Sequence, residues 1–363
     1  MHSTSSSVPE GVAPFGVYVH VPFCASRCDY CAFATWTDRH HLQDDYLAAM
    51  AAEIDRAALG PVTSVFVGGG TPTAVDPEGL MRVLAHIPLV PGAEVTVECN
   101  PDDVTPSLME TYAAGGVNRV SMGVQSMVPH VLASLGRRHR PENVRTAVAA
   151  ARAAGLERIN LDLIYGGAGE SLDDWRTTIE AVLALEPPHV SAYALTVEAG
   201  TPLALEPERH PDDDDLADKY ELADDLFEAS GRPHYEVSNW AAPGFECQHN
   251  LLYWRQGDYL GIGCAAHSHR SGRRWWNLRT PERYIAAVTA GESTEASHED
   301  LDADTRRVEG LQLRLRTTEG IPVDAIAPED RVDLEGLVVQ EGDRLVLTRA
   351  GRLLANEVAI RVR

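Results

Sequence analysis

Long apolar runs are missing from this sequence of 363 residues. No stretch approaches the roughly 20 apolar residues of a membrane-spanning helix. The opening, Met1 to Pro14, is polar and serine-rich and shows no apolar core of a secretory signal. Positive charge is also short: 31 Lys and Arg stand against 54 acids, a formal net charge of −23. A field of that sign repels phosphate backbones, so nucleic-acid binding would need a local basic patch. Two short ones exist, Arg137 to Arg140 and the arginines between Arg270 and Arg279, and either could equally hold a small molecule's carboxylates or phosphates. The reading is against nucleic acid. Cysteine is scarce as well, with Cys99, Cys247 and Cys264 scattered among six in all. That pattern suits a reducing cytoplasm, where thiols stay free for metal.

The remaining three cysteines are not scattered. Cys24, Cys28 and Cys31 fall within eight residues, directly after Val17-Tyr-Val-His-Val21, which alternates and β-branches like a strand. A [4Fe–4S] cluster normally takes four thiolates. With three, one iron keeps an open position for an exchangeable ligand. A structural zinc site completed by His40 or His41 is the competing reading, and a disulfide is a poorer one. Zinc ligands usually come as separated pairs, which favours the cluster.

Along the chain, strand and helix patterns alternate. A helix is expected over Leu42 to Leu59, then a strand Thr63 to Val67 running into Gly68-Gly-Gly-Thr-Pro-Thr73, where the backbone can approach a ligand closely. Further strands are expected at Glu94 to Glu98, Arg119 to Val124, Ile159 to Ile164, Val190 to Leu195, Tyr235 to Val237 and Tyr259 to Ile262. The intervening helices are Pro77 to His86, Pro106 to Ala114, Pro141 to Ala154, Leu172 to Leu185 and Asp212 to Ala229. Such βαβ spacing predicts an α/β fold, a full or partial (β/α) barrel. In such barrels functional groups gather at the C-terminal ends of the strands. The cysteines, Gly68 to Thr71, Glu98, Gln125, Asp162, Thr196 and Ser238 all fall there. Beyond about Gly272 the pattern becomes charged helices, then two short strands around Gly342-Asp343 and a last helix, a helix-helix-hairpin end similar to a winged-helix module. The expected organisation is a disordered lead over 1–15, a barrel over 16–270 and a small helical, winged-helix-like domain over 271–363.

Several stretches resemble the radical S-adenosylmethionine (SAM) family, in the branch that holds oxygen-independent coproporphyrinogen III oxidase and the heme chaperones. They are Tyr18-Val-His-Val-Pro-Phe-Cys24, Gly68 to Thr73, Val97-Glu-Cys-Asn-Pro101, Arg119-Val-Ser-Met-Gly-Val-Gln125, Asn160-Leu-Asp-Leu-Ile-Tyr-Gly166 and Gly261-Ile-Gly-Cys-Ala-Ala-His267. The resemblance implies that Cys24, Cys28 and Cys31 ligate a [4Fe–4S] cluster whose open iron is chelated by SAM, with reductive cleavage giving a 5′-deoxyadenosyl radical. It implies SAM contacts from Tyr18, Gly69 and Glu98. A second SAM, as in the oxidase, would fall on Tyr30, Gly70, Thr71, Gln125, Arg137 and Asp162. Thr196 and His267 align with contact positions but differ in residue type from the family.

Departures from the oxidase point to the chaperone side of the branch. The oxidase motif has a further cysteine where Phe33 stands here, and a long N-terminal extension where this chain has a short polar lead. Cys247-Gln-His-Asn-Leu-Leu-Tyr-Trp254 resembles the His-Asn-x-x-Tyr-Trp element of the chaperones, which implies heme as a further ligand. A neutral imidazole at His249 can serve as an axial ligand, with Tyr253 and Trp254 stacking on the porphyrin. The covalent motif Cys-x-x-Cys-His is absent, so heme would be held reversibly. The implied partners are heme and respiratory hemoproteins that accept it. Radical decarboxylation of coproporphyrinogen III is the alternative. The number of SAM molecules, peripheral membrane docking and homodimer formation stay open at this point.

Overall fold

A computed structural model describes residues 8–9, 11–328 and 330–362. Residues 1–7 and 10 of the lead expected over 1–15 therefore lie outside the described residues, and its last residue, Phe15, already belongs to the first strand. Six strands, β1 (Phe15–Val21), β2 (Val62–Gly69), β3 (Leu89–Cys99), β4 (Arg119–Gln125), β5 (Arg158–Tyr165) and β6 (His189–Ala194), pair in parallel and in chain order. Two short antiparallel strands, β7 (His234–Glu236) and β8 (Asn239–Ala241), extend the edge at β6, while β9 (Asp258–Ile262) pairs in parallel with β1 on the other side. Between the main strands run α1 (Gln43–Ala57), α2 (Pro77–Leu84), α3 (Pro106–Ala114), α4 (Pro129–Ser134), α5 (Pro141–Ala153), α6 (Leu172–Leu183) and α7 (Asp213–Ala229). The result is the expected partial (β/α) barrel.

Alternation decides which side chain goes where. Val17, Val19, Val65, Val67, Val97, Met122 and Leu161 point outward into the main core, against Tyr46, Met50, Met109 and Trp175 of the helices. The register sets Gly16 beside Ser64 and Glu94 at the N-terminal ends of the strands. Toward the C-terminal ends the inner face carries His20, Gly68, Glu98, Ser121 and Asp162. Parallel strands all end on the same side, so their last inward residues converge.

Lys219, the only lysine in the chain, fastens α7 to the barrel. Fully buried, its Nζ donates to the Glu170 carbonyl oxygen at 2.8 Å and to Asp215 Oδ2 at 2.5 Å, while Glu170 accepts from Gly166 N at 2.7 Å. The run Asp212 to Asp215 opens α7 as expected, with Asp212 Oδ1 capping the amides of Asp214 and Asp215 at 3.1 Å.

The later part differs from expectation in three ways. The segment around His249, for which no element is expected from sequence, is a short helix, α8 (Gln248–Trp254), packed across the N-terminal ends of β1 and β2. The boundary expected at residue 270 falls inside the large sheet, because β10 (His267–Arg270), β11 (Arg273–Asn277) and β12 (Glu295–Asp300) continue it from β9. Glu53 of α1 holds this extension, accepting from Tyr284 Oη of α9 (Pro281–Ala290) and from Thr294 Oγ1, each at 2.6 Å. The separate small core forms instead around Leu315, Ile321, Leu334, Leu345 and Val358. It is built by α10 (Ala303–Arg314), a three-stranded antiparallel sheet of β13 (Ile321–Pro322), β14 (Val338–Glu341) and β15 (Arg344–Leu347), and α11 (Arg349–Leu353) with α12 (Ala355–Arg361). The last helix, expected unbroken, is interrupted at Leu354. This unit is clasped to α7 through the buried Asp224, which accepts from Arg352 at 2.7 Å, Arg349 at 2.8 Å and the Trp240 indole at 2.9 Å. Among the described residues no helix is long and apolar enough to cross a membrane.

Candidate functional site

The cysteine loop leaves β1 and is pinned at both ends by backbone. Cys24 N donates to Trp36 O at 3.1 Å, Trp36 N to Pro22 O at 2.8 Å, and Cys31 N to Cys28 O at 3.2 Å. From the next strand, Gly70 N donates to Val21 O at 2.7 Å and Thr71 N to Phe23 O at 2.8 Å. Farther round, Leu203 N and Arg209 hold Asp29. The loop is thus tied to β2 and to the segment after β6, which fixes the three thiols before any ligand arrives.

All six cysteines are free thiols, so the disulfide reading falls. The three motif sulfurs do not all lie within 4.8 Å of one another, whereas two thiolates on one zinc ion can be at most about 4.6 Å apart, twice the usual Zn–S distance. His40 is turned away, its Nε2 bonded to the Cys24 carbonyl oxygen at 3.1 Å. The trio fits a multinuclear cluster better than one ion. Burial raises the Cys24 and Cys31 thiols above their ordinary range, so anion formation there depends on a ligand or a donor. Thr71 Oγ1 lies 3.5 Å from Cys24 Sγ, and Arg137 Nη1 lies 3.6 Å from Cys28 Sγ.

Beside the cysteines opens a cavity of about 660 Å³. It is lined by Cys24, Cys28, Cys31, Tyr30, Gly69, Gly70, Thr71, Glu98, Gln125, Arg137, Asp162 and Thr196, so most of the expected site residues come together. Gly69 has φ +106, and a Cβ there would stand 2.4 Å from the His20 ring. No other residue type fits that approach. Gln125 also sits in the left-handed region, with φ 62, a strained position of the kind that gathers at binding sites.

Two carboxylates face the cavity. Glu98 Oε2 accepts from Gly69 N at 3.2 Å, and burial, with the nearby charge of Asp162, pushes Glu98 up to about 8. Asp162 is also raised by burial, partly offset by Ser121 Oγ at 2.7 Å and Asn160 Nδ2 at 2.8 Å. The buried Arg119 also draws Asp162 down, whereas no cation acts on Glu98, and a buried acid left in that state is matched by a ligand with hydroxyls or positive charge. SAM carries both, with ribose hydroxyls, an ammonium and a sulfonium.

Three expected residues do not line this cavity. Tyr18 sits one layer deeper on β1, its hydroxyl 3.0 Å from His20 Nδ1, while His20 Nε2 meets Ala34 O at 2.9 Å. Tyr18 is thus linked to the cysteine loop through His20. His267 is exposed on β10, its ring stacked 5.6 Å from Trp276. His249 lies at the opposite end of the barrel, fully buried, with Nδ1 2.9 Å from Ser64 Oγ and Nε2 2.8 Å from Tyr253 Oη. Burial holds it neutral, down to about 3. Both ring nitrogens are taken, so the imidazole as seated has no lone pair free for an iron, contrary to the expectation from sequence.

The basic stretches divide likewise. Arg273 pairs with Glu295 at 2.8 Å, and Arg274 with Glu299 at 2.7 Å and Glu309 at 3.0 Å. Their charge is spent inside the sheet extension, whereas Arg137 faces the cavity. Sequence reasoning missed Asn100, His139 and His20, which position Arg137 and Tyr18, and the Ser121–Asn160 pair under Asp162. The only signal for the pair was that Asn160 and Asp162 share a strand face.

Residues 18–182 match the model of the Radical SAM superfamily. The sequence is 43% identical over 365 residues to "Heme chaperone HemW" of Mycobacterium tuberculosis (strain ATCC 25618 / H37Rv), covering 95% of this chain and 94% of that protein. It is 35% identical over 367 residues to "Heme chaperone HemW" of Escherichia coli (strain K12), covering 95% and 97%. Among solved structures, coproporphyrinogen III oxidase (HemN) from Escherichia coli superposes with a TM-score of 0.83 at 22% identity, over 96% of this chain and 90% of that one, a likeness of fold. With relatives aligned along nearly its whole length, this chain belongs to the HemW family of the radical SAM superfamily.

Proposed function

We propose that this protein is a heme chaperone that carries a [4Fe–4S] cluster and SAM and hands heme to respiratory hemoproteins. The observation that carries the reading is near-full-length similarity to proteins named as heme chaperones, with the motif cysteines and cavity residues in place. Membership of the radical SAM superfamily implies the cluster and SAM. Cys24, Cys28 and Cys31 would hold the cluster, and Gly69 and Glu98 would hold SAM beside it. When bound, the pair supplies one-electron chemistry at the open iron. The chain's own part is to fix three thiols on a braced loop, present a close backbone at Gly69, and offer Glu98 and Asp162 as acceptors. Cytoplasmic residence, and docking on a membrane or in a homodimer during transfer, belong to the same reading.

Ligation by His249 requires α8 to leave its seat, breaking the contacts to Ser64 and Tyr253. A hemin titration of the anaerobically reconstituted protein, followed by the Soret band, tests both points. Saturable binding in the wild type supports the chaperone, and its absence overturns it. Weaker binding in His249→Ala with an unchanged cluster content places the iron at α8. Equal binding places it elsewhere. The fold shared with coproporphyrinogen III oxidase keeps that reaction as the second reading. It predicts methionine and 5′-deoxyadenosine formed in step with loss of coproporphyrinogen III.

A further inference from the structure

Arg137 stands beside the cysteine loop with its donors largely committed. A guanidinium has five N–H groups and no acceptor. Here Nε donates to His139 Nδ1 at 3.4 Å, Nη2 donates to both Asn100 Oδ1 at 2.9 Å and Gly123 O at 3.0 Å, and one Nη1 hydrogen reaches Cys28 Sγ at 3.6 Å. Four of the five are used, and one is left for anything else in the cavity. The tautomer of His139 follows from its surroundings. Nε2 is 2.9 Å from the Val124 carbonyl oxygen, which can only accept, so the proton is on Nε2 and Nδ1 presents a lone pair to Arg137. His139 is itself buried, 4% exposed. Three neutral acceptors from three different segments therefore aim one cation at one sulfur.

We infer that Arg137, positioned by His139, Asn100 and Gly123 O, is a fixed cation on the Cys28 ligand that raises the reduction potential of the cluster. The inference rests on the reading that Cys24, Cys28 and Cys31 hold a [4Fe–4S] cluster, and it goes beyond a role for Arg137 as a contact to a second SAM. Hydrogen bonds and positive charge at ligand sulfurs stabilise the reduced, more negative cluster. Cys24 receives a weaker, neutral counterpart from Thr71 Oγ1 at 3.5 Å. The thiolates are thus treated unequally, with a charged donor on Cys28 and a hydroxyl on Cys24.

The test is a redox titration of the reconstituted cluster by electron paramagnetic resonance, without SAM or heme, so that ligand binding plays no part. Arg137→Met is expected to shift the reduction equilibrium at least tenfold toward the oxidised form, which is about 59 mV for a one-electron couple. Arg137→Lys keeps the charge but loses the fork, and a smaller shift in the same direction is expected. His139→Phe removes an acceptor without touching the cluster, and also lowers the potential. A residue that only shaped the loop would reduce iron content and leave the potential of the remaining clusters unchanged. An unchanged potential in Arg137→Met at full iron content overturns the inference. If that variant holds no cluster, unchanged potentials in both Arg137→Lys and His139→Phe overturn it. A wild-type protein that takes up no cluster overturns the cluster reading itself, and the inference with it, whatever the hemin titration gives.

Discussion

Glu94 and Glu98 stand on the same face of β3, four residues apart, yet they belong to opposite ends of the barrel and do different things. Glu94 is enclosed. Its Oε1 accepts from His249 N at 3.1 Å and Cys247 Sγ at 3.4 Å, and Arg158 Nη2 lies 3.5 Å from Oε2. Glu98 opens on a cavity, takes one amide hydrogen bond from Gly69, and has no cation against it. At the N-terminal end polar groups are matched to one another, and α8 seals them. At the C-terminal end they are aimed at space and left for a ligand. Strand direction makes the difference, since loops that vary freely follow the C-terminal ends, while a packed helix covers the N-terminal ends.

The contrast breaks most sharply at the thiols. Cys31→Ser should abolish cluster uptake, read as iron content and visible absorbance after reconstitution. The same change should leave the unfolding free energy of the cluster-free protein within about 0.5 kcal/mol of wild type, as for a change away from the core. His249→Ala does the reverse. It empties a buried site and orphans Ser64 and Tyr253, and should cost about 3 kcal/mol of stability in urea unfolding. SAM affinity, measured by calorimetry, should hardly move.

Gly69→Ala sits between the two in size. The added methyl meets the His20 ring and the backbone must keep a left-handed φ, so about 1–2 kcal/mol of strain is expected. It should appear both as a lower melting temperature and as weaker SAM binding. A change at either end that moved both readouts equally would blur the contrast.

Acidity sharpens it further, because Glu98 and His249 respond with opposite sign. Glu98 is raised to about 8 in the fold, against about 4.5 when exposed. Its neutral form is favoured by folding, so stability present at low pH is lost as pH rises from about 4.5 through 8. Glu98→Gln should therefore raise the melting temperature of the ligand-free protein at pH 8 and change it little near pH 4.5. His249 is lowered to about 3, so its contribution is present above about 6.5 and is lost as pH falls toward 3. His189, also lowered by burial, adds to that acid sensitivity. Smallest of all is Arg255, an exposed partner of Glu319. Arg255→Ala should cost under about 1 kcal/mol.

The open end was much the more legible of the two in sequence. Strand-ending residues there are conspicuous, such as Gly68 to Gly70 after a valine-rich run or Gln125 after Val124, and parallel order brings them together without further information. The closed end gave little warning. The helix α8 has only seven residues, too few for a helical period to declare itself, and His249 reads the same whether sealed or free. The boundary at residue 270 was misplaced for a related reason. The strands β11 and β12 carry arginine, histidine and glutamate with their exposed faces outward, so neither shows the apolar alternation that marked β1 to β6. Arg137 was visible as part of a basic run, but the committed geometry of its donors could come only from the folded chain.

The buried ion pair of α7 has a practical consequence. Because Lys219 is the only lysine and is fully enclosed, no side-chain amine of the folded protein is open to acylating reagents, reductive methylation or amine-directed crosslinkers. Modification of that residue, located by peptide mass after exposure to an activated ester, would report the instant at which α7 parts from Glu170. A single built-in label thus times the opening of this flank of the barrel, with no engineered probe.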